Sequence, residues 1–414
     1  MNERDRDESW EHRLSETLNG AMLAGVRIVD LTTVVFGPLA TQILADYGAD
    51  VIKIEPPEGD IMRHNGVGAG SAMGPIFLNL NRGKRSVVID LKREEGKQLL
   101  RSLISNADIF IHNVRRKAIA RMGFSYAAVK ALNPAILYCS ATGFAATSER
   151  ADAGAIDDVI QSAAGLAALN ADRDGVPQLV QSLVADKIAG LSLACAVLAG
   201  LYRRKSTGAG GAIDLPMFET LASFLLVEHL QGHTYVPPQG AIGYHRLIGR
   251  GRRIYRARDG YLSIAPYGTE HWAAFFTAAG RPDLATDPRI TDPVRRNAHI
   301  AELYDLIGTI VGERTVNEWE ALAAKLGIPA QGVRTLAEVA ADPTLAQSGT
   351  LIDREQPGVG MTRALASPGF FDARAARHPG SAPRLGQHTV EVLRAAGVSV
   401  EEIQKYVARG VIKT

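Results

Sequence analysis

The stretch Val184-Ala185-Asp186-Lys187-Ile188-Ala189-Gly190 heads a run of small apolar residues that reaches Tyr202 before the first arginine. A carboxylate placed there has two uses. It can cap the helix by accepting the unpaired amides of the first turn. It can also be a nucleophile, because those amides and the positive end of the helix dipole favour its ionised form by ~0.3–1 kcal/mol. The ionised form is the one that attacks an activated carbonyl. Ala189 and Gly190 would let a bulky substrate come close. These residues alone leave both uses open, and capping is the commoner one.

A second stretch that could do chemistry is "GRGRRIYRARDGYL" (249–262), where Arg252, Arg253 or Tyr255 could meet a carboxylate; a surface hairpin is the plainer reading. His245 lies in loop-like text and gets no role. Trp272, Phe275 and Phe276 read as core packing.

The bulk composition narrows the choices. The 414 residues carry 46 Lys plus Arg against 44 Asp plus Glu, so no overall field points to nucleic acid or an anionic membrane. Any anion site must be local. Apolar residues at 46% and charged residues at 22% fit a folded globular protein. The two cysteines, Cys139 and Cys195, sit in apolar stretches and form neither a disulfide framework nor a metal spacing. Residues 1–20 are charged and lack the apolar core of a signal peptide, so they read as an extension, and a cytoplasmic location is expected. The apolar run Ile188–Leu201 is shorter than the ~20 residues a bilayer requires.

Elements follow from the alternation of buried runs and helical text. Val26–Leu31, Val51–Glu55, Ser86–Leu91, Ala107–Asn113 and Ala135–Gly143 read as strands with helices between them, which predicts an α/β, mainly parallel, doubly wound sheet. Past residue 230 the text turns rich in Gly, Pro, Arg and Tyr, with short antiparallel strands expected and helices near 271–280 and 298–325. We therefore expect a large Rossmann-like domain over 21–229 and 336–414 with a smaller α+β domain, 230–335, inserted in it. The first strand is followed by "TTVVFGPLA" without a G-x-G-x-x-G, and no P-loop, H-E-x-x-H or G-x-S-x-G occurs, which weighs against a dehydrogenase, a nucleotide-cradling loop, a zinc site and a serine hydrolase.

"VDLTTVVFGPLATQILADYGADVIKIEPPEGD" (29–60), "NLNRGKRSVVIDLKREEGKQLL", "ADIFIHNVRRKAIARMGFSY", "LNPAILYCSATGF", "GIPAQGVRTLAEVAADPTLAQSG" and "PRLGQHTVEVL" occur in order from about Gly25 onward. Together they strongly resemble the family III CoA-transferases (CaiB/BaiF), the group that includes formyl-CoA transferase, carnitine CoA-transferase and α-methylacyl-CoA racemase. The resemblance implies that Asp186 is the nucleophile. It would form a mixed anhydride with the donor acyl group and then an aspartyl-CoA thioester, which a carboxylic acid acceptor resolves. No cofactor is implied beyond CoA itself as part of the substrate. It further implies CoA contacts from Lys84 in "RGKRS", with Arg82 and Arg85 beside it, and from Asn113, Val114, Arg121 and Met122 in "NVRRKAIARM"; Arg115, Arg116 and Lys117 are neighbours.

Two family cations are replaced, by Pro56 after "KIE" and by Thr142, and the glycine-rich lid of the formyl-CoA enzymes has no counterpart. The racemase branch uses a histidine where this chain has Ile156, so a racemase or isomerase is the alternative, with a non-catalytic CoA-binding protein a third. Asp157, next to it, either orients groups near the site or caps a helix. The partners implied are an acyl-CoA, a small carboxylic acid and a second copy of the chain, interlocked as a homodimer, with no nucleic acid and no membrane.

Overall fold

The computed structural model describes residues 22–67, 72–172, 174–248, 253–367, 369–371, 374–375 and 380–414. The N-terminal extension expected over 1–20 and Arg252 lie outside them. The described residues form two compact units, one running up to Leu225 and resuming over Pro343–Thr414, the other Leu226–Asp342.

The first unit is built on a seven-stranded sheet. In chain order its strands are β1 (Arg27–Leu31), β2 (Asp50–Glu55), β3 (Arg85–Ile89), β4 (Ile109–His112), β5 (Leu137–Thr142), β6 (Gly211–Pro216) and a C-terminal strand, Ile412–Lys413. Their spatial order is C-terminal strand–β3–β2–β1–β4–β5–β6. Every pairing is parallel except that of the C-terminal strand with β3. This is the Rossmann-like order, reversing at β1, and such sheets bind ligands outside the carboxyl ends of their strands near that reversal. The central strands are buried along almost their whole length, as parallel strands covered on both faces must be, so their sequences read as continuous apolar runs.

Two cores result, one on each face. The first packs Val29, Ile52, Val87 and Phe110 against α2 (Glu94–Ser105) and the C-terminal helices Thr389–Ala395 and Val400–Ala408. The second packs Ile28, Val51, Ile109 and Cys139 against α1 (Phe36–Asp46), α5 (Val184–Thr207) and α6 (Met217–His229). Between them in the chain lie α3 (Arg116–Arg121) and α4 (Asp157–Ala163). The 24-residue α5 is long and apolar enough to cross a membrane by length and composition alone, but Ala185, Ala189, Leu193 and Val197 are buried in the second core.

The second unit has a three-stranded antiparallel sheet, Tyr255–Arg256, Tyr261–Ile264 and Ala330–Gly332, under a core of Trp272, Phe275, Phe276 and Trp319. The single helix expected over 298–325 is two, Ile300–Val311 and Val316–Leu326. Thr315 and Glu318 form a reciprocal capping box that restarts the chain after Gly312.

Candidate active site

A cleft of about 690 Å³ opens at the carboxyl ends of β1–β4. Its apolar walls include Leu31, Ile54, Pro56, Ile89 and Val114, and its charged rim carries Lys92, Lys97 and Arg121. Asn113, Val114, Arg121 and Met122, which share one loop and the short helix α3 after β4, all line it, so the structure brings this expected set together. Among the described residues, neither Arg121 nor Lys92 makes an ion pair with a carboxylate, whereas Lys97 is held by Glu94 at 3.2 Å. Lys92, one residue past "VIDL", was missed as a cleft cation; its only signal was its place just after a strand end.

Asn113 does something more specific than lining. Its side-chain oxygen accepts from the Thr33 amide at 3.1 Å and its side-chain nitrogen donates to the Thr33 carbonyl at 2.8 Å. Both halves of the amide are thus spent on the loop after β1, which fixes the cleft wall. The next residue, Val34, has φ of 73°, a left-handed conformation that costs a β-branched residue roughly 1–3 kcal/mol.

Lys84, Arg82 and Arg85 do not line this cleft. Arg82 and Lys84 precede β3 and Arg85 opens it, so all three fall at its amino end, while the cleft takes residues from its carboxyl end onward. Lys84 is buried with its Nζ donating to Thr41 Oγ1 (2.7 Å), Asn81 Oδ1 (2.9 Å), the Pro38 carbonyl (3.1 Å) and Asp30 Oδ2 (3.3 Å). Burial pushes it down to about 8, against the pull of Asp30. Arg82 is tied to Asp46 and to the Asn79 carbonyl, and Arg85 to Asp50 and Glu391. These cations stabilise the packing of the loop before β3. Of the residues expected to contact CoA, these three are each engaged by acceptors within the protein.

The "KIEPPEGD" stretch behaves likewise. Lys53 pairs with Asp60 at 2.9 Å, and Arg63 grips Glu55 with two bonds of 2.7 Å, all four side chains buried beneath the cleft. Burial works to raise Glu55, and Arg63 and Lys53 outweigh it, holding the carboxyl below its usual range.

Asp186 lies in the first turn of α5. Leu183 is the capping residue and makes no side-chain bond, so Asp186 is not the cap. Its own amide is taken instead by Asp157 Oδ1 at 3.0 Å, from the start of α4. Gln161, one turn on, donates to Asp157 Oδ2 at 2.6 Å and accepts from the Val180 amide at 2.9 Å. Among the described residues nothing donates to the Asp186 carboxylate. Burial and the neighbouring Asp157 raise it from 3.8 to about 7. The expected favouring of ionisation by the helix end is therefore reversed: with the amide spent on Asp157, desolvation and a like charge prevail. Gln161 was missed; the i, i+4 spacing from Asp157 was its signal.

Ala189 and Gly190, expected to admit substrate, instead seat α5 on α1. A Cβ at Gly190 would stand 2.9 Å from the Phe36 carbonyl oxygen and 3.0 Å from Leu39, closer than helices tolerate. That contact puts the start of α5 beside the start of α1, on the same side of the sheet as the cleft.

Elsewhere the expected residues are occupied or solvent-facing. Arg253 pairs with Asp305 at 2.7 Å and lies over the ring of the buried Tyr255. Arg116 is bidentate on Asp214 and bonds Thr142, and Lys117 pairs with Asp152. Ile156 is exposed and offers no titratable group at the racemase histidine's place.

The fold is thus an α/β one with a cleft at the sheet reversal and, at the start of α5, a buried carboxylate to which no described residue donates. Comparison places it further: residues 23–389 match the model of CoA-transferase family III, and the chain belongs to that family of enzymes. It is 34% identical over 94% of its length to an acyl-CoA transferase of Fusarium pseudograminearum, covering 88% of that protein. It is 31% identical over 92% of its length to the formyl-CoA:oxalate CoA-transferase of Escherichia coli, covering 97% of it. A succinate–glutarate CoA-transferase of Agrobacterium fabrum is 30% identical over 90% of this chain and 94% of its own. Among solved structures, a CaiB/BaiF family protein from Brucella suis superposes with a TM-score of 0.77 at 30% identity, over 90% of this chain and 98% of that one.

Proposed function

We propose that the enzyme moves CoA from an acyl-CoA to a small carboxylic acid with Asp186 as the nucleophile. The observation that supports this most is the Asp186 carboxylate itself: buried, raised to about 7, and free of donors among the described residues that would blunt its lone pairs. An Asp186 oxygen attacks the thioester carbonyl, and the C–S bond breaks to give a mixed anhydride and CoA thiolate. The thiolate attacks the aspartyl carbonyl and expels the donor acid, leaving an aspartyl-CoA thioester. The acceptor carboxylate attacks that thioester and releases thiolate. The thiolate then attacks the acceptor carbonyl of the new anhydride, giving the product acyl-CoA and freeing Asp186. Thioester energy is conserved through every step, so the balance requires neither ATP nor a metal.

CoA itself is read into the cleft, with Arg121 and Lys92 facing its phosphates and the apolar walls its adenine. The unit Leu226–Asp342 is read as the smaller inserted domain. A second copy of the chain is proposed to cover apolar side chains that α5 and α6 leave in solvent, among them Leu191 at 55%, Phe224 at 58% and Val227 at 82% exposed. The interlocked form of that dimer rests on the family resemblance.

The test of the nucleophile is trapping. Donor acyl-CoA plus hydroxylamine should convert Asp186 to its hydroxamate and stop turnover, read by peptide mass spectrometry. A modification found elsewhere, or transfer undiminished in Asp186→Ala, would overturn the assignment, since loss of a covalent nucleophile costs several orders of magnitude.

A further inference from the structure

We infer that Asp157 is a positioning residue for Asp186: it holds the nucleophile's own amide and sets a second negative charge beside its carboxylate. The inference rests on Asp186 being the nucleophile. Asp157 is 4% exposed and both its oxygens are used, Oδ1 by the Asp186 amide and Oδ2 by Gln161. Gln161 in turn donates to the Ser182 carbonyl at 3.2 Å, so α4 brackets the segment that leads into α5. One side chain thereby sets both the place and the charge environment of the other.

The charge has a chemical use. When an oxygen of Asp186 adds to a thioester, the adduct expels whichever group is the weaker base. An aspartate near its ordinary ~3.9 would leave long before a thiolate of ~8.5, and the adduct would revert. Raising Asp186 from 3.8 to about 7 narrows that gap and lets the C–S bond break. The consequence is that only the ionised fraction attacks, so kcat/KM should climb with pH through about 7.

Among the described residues Asp157 is the one charge that acts on Asp186 in this way. Of the other titratable groups on elements packed against the start of α5, Asp46 stands at the far end of α1, Asp158 is exposed, and Asp214 of β6 is held by Arg116. Tyr138 and Cys139 of β5 are both pushed up to about 12 by burial and stay neutral. On α5 itself, Lys187 is spent on Ser182 at 2.7 Å, and its other cations lie at the opposite end.

The experiment is the pH profile of Asp157→Asn, whose amide oxygen still accepts the Asp186 amide but carries no charge. The acid limb of kcat/KM should move down by about one unit, the usual scale of a close like charge. The alkaline plateau should fall about threefold for a Brønsted slope of ~0.5. Loss of rate that is equal at every pH, with the limb unmoved, would overturn the inference, since that is what a merely structural role gives. Asp157→Thr, with an acceptor oxygen and no charge, carries the same expectation if the asparagine variant does not fold. In the unmodified enzyme, a carbon-13 titration should find Asp186 with a midpoint near 7; an ordinary midpoint near ~4 would also overturn it. Hydroxylamine trapping on the same protein separates the two failures. A label away from Asp186 sinks the nucleophile, whereas a label on Asp186 with an unmoved limb sinks only Asp157.

Discussion

Replacing Arg63 by Met should destabilise the protein severely, and more so at pH 7 than at pH 5. Arg63 is fully buried; its Nε and Nη2 donate to the two Glu55 oxygens at 2.7 Å, its Nη1 donates to the Pro383 carbonyl at 3.1 Å, and its guanidinium lies 3.7 Å over Phe77. Methionine keeps most of the apolar stem and removes every donor. Glu55 then retains only Ser86 Oγ at 2.6 Å and the Asp60 amide at 3.0 Å as donors. Breaking a buried pair this way costs ~3–5 kcal/mol, against a typical total of ~5–15 kcal/mol. The pH dependence gives the argument its sign. In the native protein Glu55 is held below its unfolded value, so its contribution is complete above that value and is lost as pH falls through the lower folded one. Without Arg63, burial prevails and the folded value rises above the unfolded one, so acid relieves the variant and alkali penalises it. The stability gap should widen by up to ~1.4 kcal/mol per pH unit across that interval. Urea unfolding at pH 5 and pH 7, at matched protein concentration, measures it. Adding Glu55→Gln to Arg63→Met should recover part of the loss at pH 7. A loss below ~1 kcal/mol, or a gap that ignores pH, would refute the pairing as described.

Two further outcomes are expected. Arg121→Gln should raise KM for acyl-CoA by roughly 10- to 150-fold, as loss of a charge-assisted contact worth ~1.5–3 kcal/mol would, while kcat holds; Arg85→Gln, already paired with Asp50 and Glu391, should leave KM unchanged, and the reverse pattern would put CoA elsewhere. Native mass spectrometry at nanomolar concentration should find dimer and no folded monomer, because an obligate pair buries upwards of ~2,000 Å²; a well-folded monomer would refute the second copy as the cover for α5 and α6.

The sheet was legible because its strands are short, buried on both faces and separated by helices. The five expected strand ranges lie within two residues of those observed at each end. The stretch 298–325 breaks in two at Gly312, after which the Thr315–Glu318 box starts a second helix. What composition hid most was burial of charge. Lys53, Glu55, Asp60, Arg63 and Lys84 are all buried, Lys53 with Asp60 and Glu55 with Arg63 pairing within one stretch and Lys84 with the distant Asp30. Pairing across 54 positions, as between Asp30 and Lys84, leaves no local signal.

Of the residues the resemblance implied, those carried by one loop and one helix line one cleft together, and those separated from it by a strand do not. Asn113 to Met122 stay together because nine residues of turn and short helix cannot carry them far. Lys84 and Asp90 are six positions apart, but β3 lies between them and separates a packing cation from a cleft residue. The same limit explains Asp186. A helix-end carboxylate is read as capped and acidic because the sequence shows the helix's amides and not what else can reach them. Asp157, 29 positions earlier, reaches first. With that amide occupied, the carboxylate meets a low-dielectric wall and a like charge. A residue whose local sequence favours ionisation is thus raised by its tertiary neighbours to about 7, the range in which the proposed nucleophile would be both ionised often enough to attack and basic enough not to leave.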